Sequence, residues 1–186
     1  MNLYILRHAS AGTRRLNAIV DVKRPLDKEG KQQCILVGSY LNALNVQFDL
    51  IVSSPLKRAL QTASLVGTET GYDAKIMVSE ALSPGSNVAA FEKLVLSFAG
   101  HENVLVVGHN PNLPVFLSAI LSGRNSNSMG VTAQPDRPRI RLRKGAIARI
   151  DCSRRPGTLH WLVDPRILRG VYARVTKSSR RKTSRK

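Results

Sequence analysis

The sequence has few of the features that mark exported, membrane-bound or disulfide-stabilised proteins. Only two cysteines, Cys34 and Cys152, occur among 186 residues, and both lie in patterns typical of ordinary buried thiols, so we expect them to be reduced. No apolar run reaches the ~20 residues that a membrane span requires. The apolar N-terminus is interrupted by Arg7-His8 before it reaches the length of an export signal. We therefore expect a soluble, cytoplasmic protein.

Acidic residues are also scarce, because 12 Asp and Glu stand against 29 Lys and Arg, for a formal net charge of +17. Such a charge favours anionic partners but says nothing about the fold. Residues 176–186 consist entirely of Lys, Arg, Ser and Thr, so this segment cannot bury enough apolar surface to fold. We predict a folded domain over residues 1–170 and a basic, disordered tail over residues 171–186. This tail is suited to weak contact with a polyanion.

The rest of the chain alternates between short apolar runs and amphipathic segments. Four strands, each ahead of a helical pattern, are predicted at residues 3–6, 49–52, 75–78 and 104–107. Alternating runs near the C-terminus predict antiparallel strands at residues 139–143, 146–151 and 158–163. Residues 9–25 and 124–138 are expected to be loops. The pattern predicts a single-domain α/β fold, a three-layer α/β/α sandwich whose mostly parallel central sheet has antiparallel edge strands.

Polar side chains follow three of the four predicted parallel strands. The first strand ends in Arg7-His8, the second leads to Ser54 and, one helical turn later, Arg58, and the fourth ends in His109. Ligands bind outside the carboxyl ends of strands in open α/β sheets. Arginine forks match phosphate oxygens, and a neutral imidazole among them can attack phosphorus. The sequence therefore predicts a site that handles a phosphoryl group.

No cluster of acidic and histidine residues at metal-ligand spacing accompanies this set, so we predict an enzyme that needs neither a metal nor another cofactor. Each residue alone has an ordinary structural interpretation, and only the joint placement at strand ends favours a site. A non-catalytic module that binds nucleic acid or another polyanion is the alternative. The net charge is its only support, because no basic motif interleaved with aromatic residues is present.

Three segments resemble the signature motifs of the histidine phosphatase (phosphoglycerate-mutase-like) superfamily. Residues 6–9 (Leu-Arg-His-Ala) are similar to its arginine-histidine-glycine motif, with Ala9 in place of the usual glycine. Residues 53–62 resemble the second motif and residues 106–111 the third. The likeness is closer to the SixA-type phosphohistidine phosphatases, and it extends over roughly residues 2–168. It implies a phosphoglycerate-mutase-like fold and a hydrolase of phosphoric monoesters or phosphohistidine.

The resemblance also implies roles for individual residues. His8 would be the nucleophile that carries a phosphohistidine intermediate. Arg7, Arg58 and His109 would form the phosphate pocket, and Arg24 would join them.

The general acid is less well defined by the resemblance. Many relatives have an acidic residue shortly after the third strand, where this chain has Glu80, and Asp21 is the competing candidate. Glu80 is equally well interpreted as a solvated residue at a strand exit. A phosphohistidine substrate would need the acid less, because imidazole, with an unperturbed pKa of ~6.5, leaves more easily than an alkoxide.

Two classes of substrate are consistent with these motifs. The chain has no large insertion that would cap the pocket, which favours a phosphohistidine presented by a signalling or phosphotransfer protein. A cap formed by residues 124–138 would instead favour a small phosphate ester, a nucleotide or a polyphosphate.

Overall fold

The computed structural model describes residues 1–123 and 139–183, and the side chains of these residues as far as residue 174. Its strands are β1 (Asn2–Arg7), β2 (Leu50–Ser53), β3 (Met77–Val78), β4 (Asn103–Gly108), β5 (Ile147–Asp151) and β6 (Thr158–Val163). They form one sheet in the order β3-β2-β4-β1-β5-β6. The first four strands pair in parallel, and β5 and β6 are added antiparallel beside β1. The predicted sheet is confirmed.

Helices cover both faces of this sheet. They are α1 (Ala18–Val22), α2 (Lys28–Ala43), α3 (Lys57–Glu69), α4 (Val88–Leu96), α5 (Asn112–Ser122) and α6 (Pro165–Thr183). Because side chains alternate along a strand, Leu3 and Ile5 of β1 pack in the core cluster that includes residues of α4 and α5. Tyr4 and Leu6 pack in the opposite cluster, with residues of α2 and α3. Burial on both faces explains why β1 and β4 are continuous apolar runs.

Short polar residues set several helix ends. The Asp27 carboxylate accepts a hydrogen bond from Gly30 N (2.7 Å) at the start of α2, and Asn87 accepts one from Ala90 N (2.9 Å) at the start of α4. Asn45, just beyond α2, is left-handed with φ of 53°, a conformation that asparagine tolerates better than most residues.

Two parts of the predicted secondary structure are wrong. The predicted loop at residues 9–25 contains α1, whose first turn is capped by Asn17 through hydrogen bonds from Ile19 N and Val20 N. Residues 139–143 do not form the predicted strand. There the Leu142 carbonyl accepts side-chain hydrogen bonds from Arg7 and Asn110 instead of pairing in the sheet.

The C-terminal segment also differs from the prediction of disorder from residue 171, because α6 continues to Thr183. Its first turns are anchored, since Leu168 packs against the core cluster that contains α2. Lys, Arg and Ala are good helix formers, so a helix that starts on an anchored turn can propagate through basic sequence. The independence of residues 1–170 as a folding unit stays a prediction.

Cys34 and Cys152 are both free thiols, as predicted. In the part of the chain that the structure describes, no helix is both long and apolar enough to cross a membrane. The loop predicted at residues 124–138 lies outside the described residues.

Candidate active site

Strand pairing brings the two candidate histidines together. β1 and β4 are neighbours whose register sets Arg7 opposite Gly108, so the next residue of each strand, His8 and His109, leaves the sheet at the same edge. His8 N donates a hydrogen bond to Gly108 O (3.0 Å), and the two imidazole ring centroids are 4.9 Å apart. His8 and His109, which are 101 positions apart in the chain, thus lie next to each other in one site.

A cavity of about 570 Å³ opens above these histidines. Its walls include all of the residues expected to bind phosphate, which are Arg7, Arg24, Arg58 and His109, together with His8. Asp21 and Lys144 also line it. The structure therefore brings the predicted phosphate pocket together from four separate segments of chain.

His8 is held with one ring nitrogen free. Its Nδ1 lies 2.8 Å from Ala9 O, and because a carbonyl oxygen only accepts, Nδ1 carries the proton and Nε2 the lone pair. Burial, together with the positive charges of Arg58, Arg7 and Lys144, lowers the pKa of His8 to about 3, against the opposing effect of the hydrogen bond to Ala9. The side chain is only 6% exposed. His8 is consequently a neutral imidazole with an available nitrogen at neutral pH.

His109 is neutral for the same reasons. Burial, followed by His8 and three arginines, lowers its pKa to about 2. Its Nε2 lies 2.9 Å from Ser54 Oγ, and the same oxygen accepts a hydrogen bond from Leu56 N. When Ser54 donates its proton to Nε2, the imidazole proton of His109 is on Nδ1. That nitrogen is buried and has no partner among the described residues, and His109 itself lines the cavity.

Arg7 and Arg58 each have a buried donor that lacks an acceptor within the ranges that the structure describes, as His109 does. Arg7 Nη1 donates to Leu142 O (2.9 Å), and Arg58 Nη1 donates to Asp21 O (3.0 Å). The Nε of each is buried without an acceptor in the described part of the protein. A buried, unpaired donor costs about 1–3 kcal/mol. Arg7, Arg58 and His109 all line the cavity, and the two guanidinium groups give its wall the positive charge that suits a phosphoryl group.

Asp21 lies between two of the arginines. Its carboxylate accepts from Arg24 Nε (2.8 Å) and contacts Arg58 Nη1 (3.3 Å). A hydrogen bond from Arg15 N and the interactions with Arg24 and Arg58 lower the pKa of Asp21 to about 2. An ionised carboxylate orients the two guanidinium groups well, but at neutral pH it has no proton to give to a leaving group.

Glu80 lies apart from this arrangement. It starts a short 3₁₀ helix, Glu80–Leu82, after β3, its side chain is exposed, and its Oε2 accepts a hydrogen bond from Ser83 Oγ (2.5 Å). It is not among the residues that line the cavity. The candidate acid carried over from the resemblance is thus at the correct edge of the sheet but outside the pocket walls.

Comparison with known proteins decides the family. A model of the histidine phosphatase superfamily (branch 1) matches residues 3–83. An uncharacterized protein of Picosynechococcus is 32% identical over 134 residues, which are 70% of this chain and 79% of the relative. The chain belongs to the histidine phosphatase superfamily. It is therefore a phosphatase.

Within the superfamily, the similarity extends to the SixA type. Phosphohistidine phosphatase SixA of Escherichia coli is 28% identical over 125 residues, which are 66% of this chain and 76% of that protein. A structure of protein histidine phosphatase SixA complexed with tungstate superimposes with a TM-score of 0.73 at 26% identity, covering 90% of this chain and 99% of that one. The predicted phosphoglycerate-mutase-like fold is confirmed.

The structure explains why the second motif of this histidine phosphatase ends in Gln61-Thr62. Gln61 Oε1 accepts a hydrogen bond from Leu26 N (2.8 Å), which fixes the segment that carries Arg24. Thr62 Oγ1 accepts from Ala9 N (3.1 Å) and donates to Arg58 O (2.7 Å). Thr62 thereby joins Ala9, the residue after His8, to Arg58.

Two features of the site were not predicted from the sequence, namely the contact of Ser54 with His109 and the position of Lys144 in the cavity wall. Ser54 lies in the second motif, but only its contact with His109 shows that it fixes an imidazole. Lys144 is on a turn whose next residue, Gly145, has φ of 73° and donates its N–H to Arg7 O (3.1 Å) and His8 O (3.2 Å). The Lys-Gly pair signals a turn, whereas its attachment to the distant first motif has no signal in the sequence.

Among the described residues there is no group of three His, Cys, Asp or Glu side chains that could hold a metal ion. The positive charge at this site comes from arginines and Lys144. Independence of metal ions stays a prediction.

Proposed function

We propose that this histidine phosphatase removes phosphoryl groups from phosphohistidine on a protein in the cytoplasm, through a covalent intermediate on His8. The observation that carries the proposal is the state of the His8 ring. Its Nδ1 proton is engaged by Ala9 O, which leaves Nε2 as a nucleophile in a cavity walled by cationic groups.

The first step of the proposed reaction is attack by His8 Nε2 on phosphorus. A bond forms between Nε2 and phosphorus while the bond from phosphorus to the leaving group breaks, and the leaving group takes the electron pair. Arg7, Arg58 and His109 stabilise the charge on the phosphoryl oxygens, because they are donors already fixed in a buried site. In the second step water attacks the phosphohistidine, the bond to Nε2 breaks, and inorganic phosphate is released.

The acid–base groups of the pocket favour a phosphohistidine substrate. Asp21, the carboxylate in the pocket, has a pKa lowered to about 2, and Glu80 is outside the cavity wall. An alkoxide leaving group needs a proton from such a residue, whereas a histidine leaving group can accept its proton with a pKa of ~6.5. A pocket with a strong phosphate-binding set and, among the described residues, no neutral carboxylic acid on its wall suits phosphohistidine better than an alkyl phosphate. A small phosphate ester, a nucleotide or a polyphosphate is the alternative substrate class.

The sequence similarity to SixA supports the same substrate class. The Escherichia coli relative is named as a phosphohistidine phosphatase, and a related structure holds tungstate, a tetrahedral oxyanion like phosphate. A protein partner in signalling or phosphotransfer follows from this substrate.

The proposal is tested by comparing kcat/KM for a phosphohistidine-bearing phosphotransfer protein with kcat/KM for a panel of aryl phosphates, alkyl phosphates and nucleotides. We expect the phosphohistidine protein to be the best substrate and alkyl phosphates the worst. A nucleotide or alkyl ester turned over faster than phosphohistidine would instead support the alternative class.

The nucleophile is tested in parallel by rapid acid-free quenching with ³²P-labelled substrate. The wild type should carry label on histidine, stable in base and labile in acid, and His8→Ala should carry none. Label on serine or cysteine would contradict the assignment. Binding of polyanions without any turnover would support the non-catalytic alternative.

A further inference from the structure

A second basic cavity adjoins the catalytic one. This side cavity, of about 420 Å³, shares the walls formed by Arg7, Asn110 and Lys144 with the catalytic cavity, and Arg141, Arg143 and Arg166 also line it. The Leu142 carbonyl, held by Arg7 Nη1 and Asn110 Nδ2, lies on its wall. A group in the side cavity would therefore lie next to a phosphoryl group bound over His8.

The side cavity has more positive charge than its own carboxylates can neutralise. Five cationic side chains and two carboxylates, Glu29 and Asp164, line it. Asp164 is already engaged, because it contacts Arg166 Nη2 (2.8 Å) and Arg143 Nε (3.4 Å). Arg141 and Lys144 form no ion pair with another residue in the described ranges. Lys144, which lines both cavities, and Arg141, on the wall of the side cavity alone, are thus available to a ligand.

Lys144 is held at the junction of the two cavities by the backbone. The left-handed Gly145 donates its N–H to Arg7 O and His8 O, so the turn is attached to the strand end that carries the nucleophile. The charge of Lys144 acts on both His8 and Asp27. A fixed turn is better suited to select a ligand than a flexible lysine on an open surface, because less conformational entropy is lost on binding.

We propose that the side cavity is a second anion-binding subsite, so that the preferred substrates carry a carboxylate or phosphate group beside the phosphoryl group that is transferred. The inference rests on the proposed phosphatase action of His8 and specifies the class of substrate. The second anion has two possible sources, a small ester with two anionic groups or an acidic side chain beside a phosphohistidine in a protein. The chemistry that Arg141 and Lys144 recognise is the same in both.

The test uses pairs of substrates that differ only in charge. One arm compares phenyl phosphates bearing a carboxymethyl or carboxyethyl group with their carboxamides. The other compares phosphohistidine peptides that have glutamate beside the phosphohistidine with peptides that have glutamine. The quantity measured is the ratio of kcat/KM for the charged member of each pair to kcat/KM for the neutral member.

In the wild type we expect this ratio to be about three- to tenfold, the range for one or two partly exposed charge-assisted contacts. Arg141→Gln and Lys144→Gln should each bring it towards one, as should raising NaCl from about 0.05 M to about 0.5 M, because screening shortens the range of the attraction. Lys93→Gln removes the same charge from the exposed face of α4, where it lines neither cavity. This control should keep the wild-type ratio.

The outcomes distinguish failure of the proposed subsite from failure of the proposed phosphatase function. A ratio above one in the ester arm alone assigns the subsite to small substrates, and a ratio above one in the peptide arm alone assigns it to proteins. A wild-type ratio near one in both arms, or one that survives both variants, overturns the subsite while leaving the phosphatase proposal intact. If neither member of any pair is hydrolysed, or if turnover survives His8→Ala, the proposed function itself fails and the subsite with it.

Discussion

Mild acid should destabilise this protein through the two histidines of its active site. His8 and His109 are 6% and 2% exposed, and burial, reinforced by neighbouring positive charge, lowers their pKa values to about 3 and about 2. In the unfolded chain both would titrate near ~6.5. At pH values between the folded and unfolded pKa values, the unfolded state binds more protons than the folded state, so the free energy of unfolding falls as the pH falls.

The size of the effect follows from the two pKa values. Lowering the pH from about 7 to about 5 stabilises an unfolded histidine by roughly 2 kcal/mol relative to a folded one that stays neutral. Both histidines together give about 4 kcal/mol, which is a large part of a typical domain stability of ~5–15 kcal/mol. Carboxylates contribute little in this window, because their unfolded pKa values lie near ~4.

The assay is urea unfolding at several pH values in phosphate-free buffer. Trp161 is a suitable probe because its ring packs against Tyr4 and Tyr40. His8→Gln should remove about half of the slope of unfolding free energy against pH. His160→Gln, on the exposed strand β6, serves as the matched control. A flat profile from pH 7 to pH 5, or a slope that His8→Gln leaves unchanged, would refute the neutral burial of these rings.

Three further predictions concern the chemistry and the C-terminus. Chelator should leave turnover of an aryl phosphate unchanged, since arginines supply the positive charge, and a requirement for added magnesium or zinc would contradict this. Asp21→Asn should lower kcat/KM for every substrate by about tenfold or more, because it releases two arginines. Glu80→Gln should lower kcat/KM for alkyl phosphates only, if for any substrate. Equal losses for all substrates in Glu80→Gln would assign Glu80 a larger role. Deleting residues 176–186 should weaken low-salt retention on a polyanion column without changing aryl phosphate turnover, and reduced turnover would place this segment in the active site.

The positions of the main strands along the chain and the chemistry of their ends could be predicted from the sequence. Apolar runs at residues 3–6 and 104–107 identify buried parallel strands, because only strands covered on both faces are apolar throughout. The topology rule for α/β sheets then locates Arg7-His8 and His109 at one edge. These arguments need only local pattern and a general rule of packing.

Pairwise geometry within the pocket could not be obtained in this way. The ionisation of Asp21 depends on contacts with Arg24 and Arg58, and the tautomer of His8 depends on a single carbonyl at 2.8 Å. Glu80 shows the same limit. Its distance along the chain from the third strand is the one expected for the general acid, but its carboxylate accepts a hydrogen bond from Ser83. Spacing in sequence gives the edge of the sheet, but it does not give the direction of a side chain.

The C-terminal segment shows most clearly the difference between what the sequence determines locally and what tertiary contacts determine. Composition alone gives residues 176–186 too little apolar surface to fold independently, and α6 nonetheless continues to Thr183 from a first turn anchored by Leu168. By itself the sequence determined the fold class, the nucleophile candidate and the arginines, since these follow from local periodicity and from motifs. Only the tertiary structure decided which carboxylate joins the pocket, that Ser54 and Lys144 complete it, and that a second basic cavity adjoins it. Those features arise from contacts between residues far apart in the chain, which no local pattern encodes.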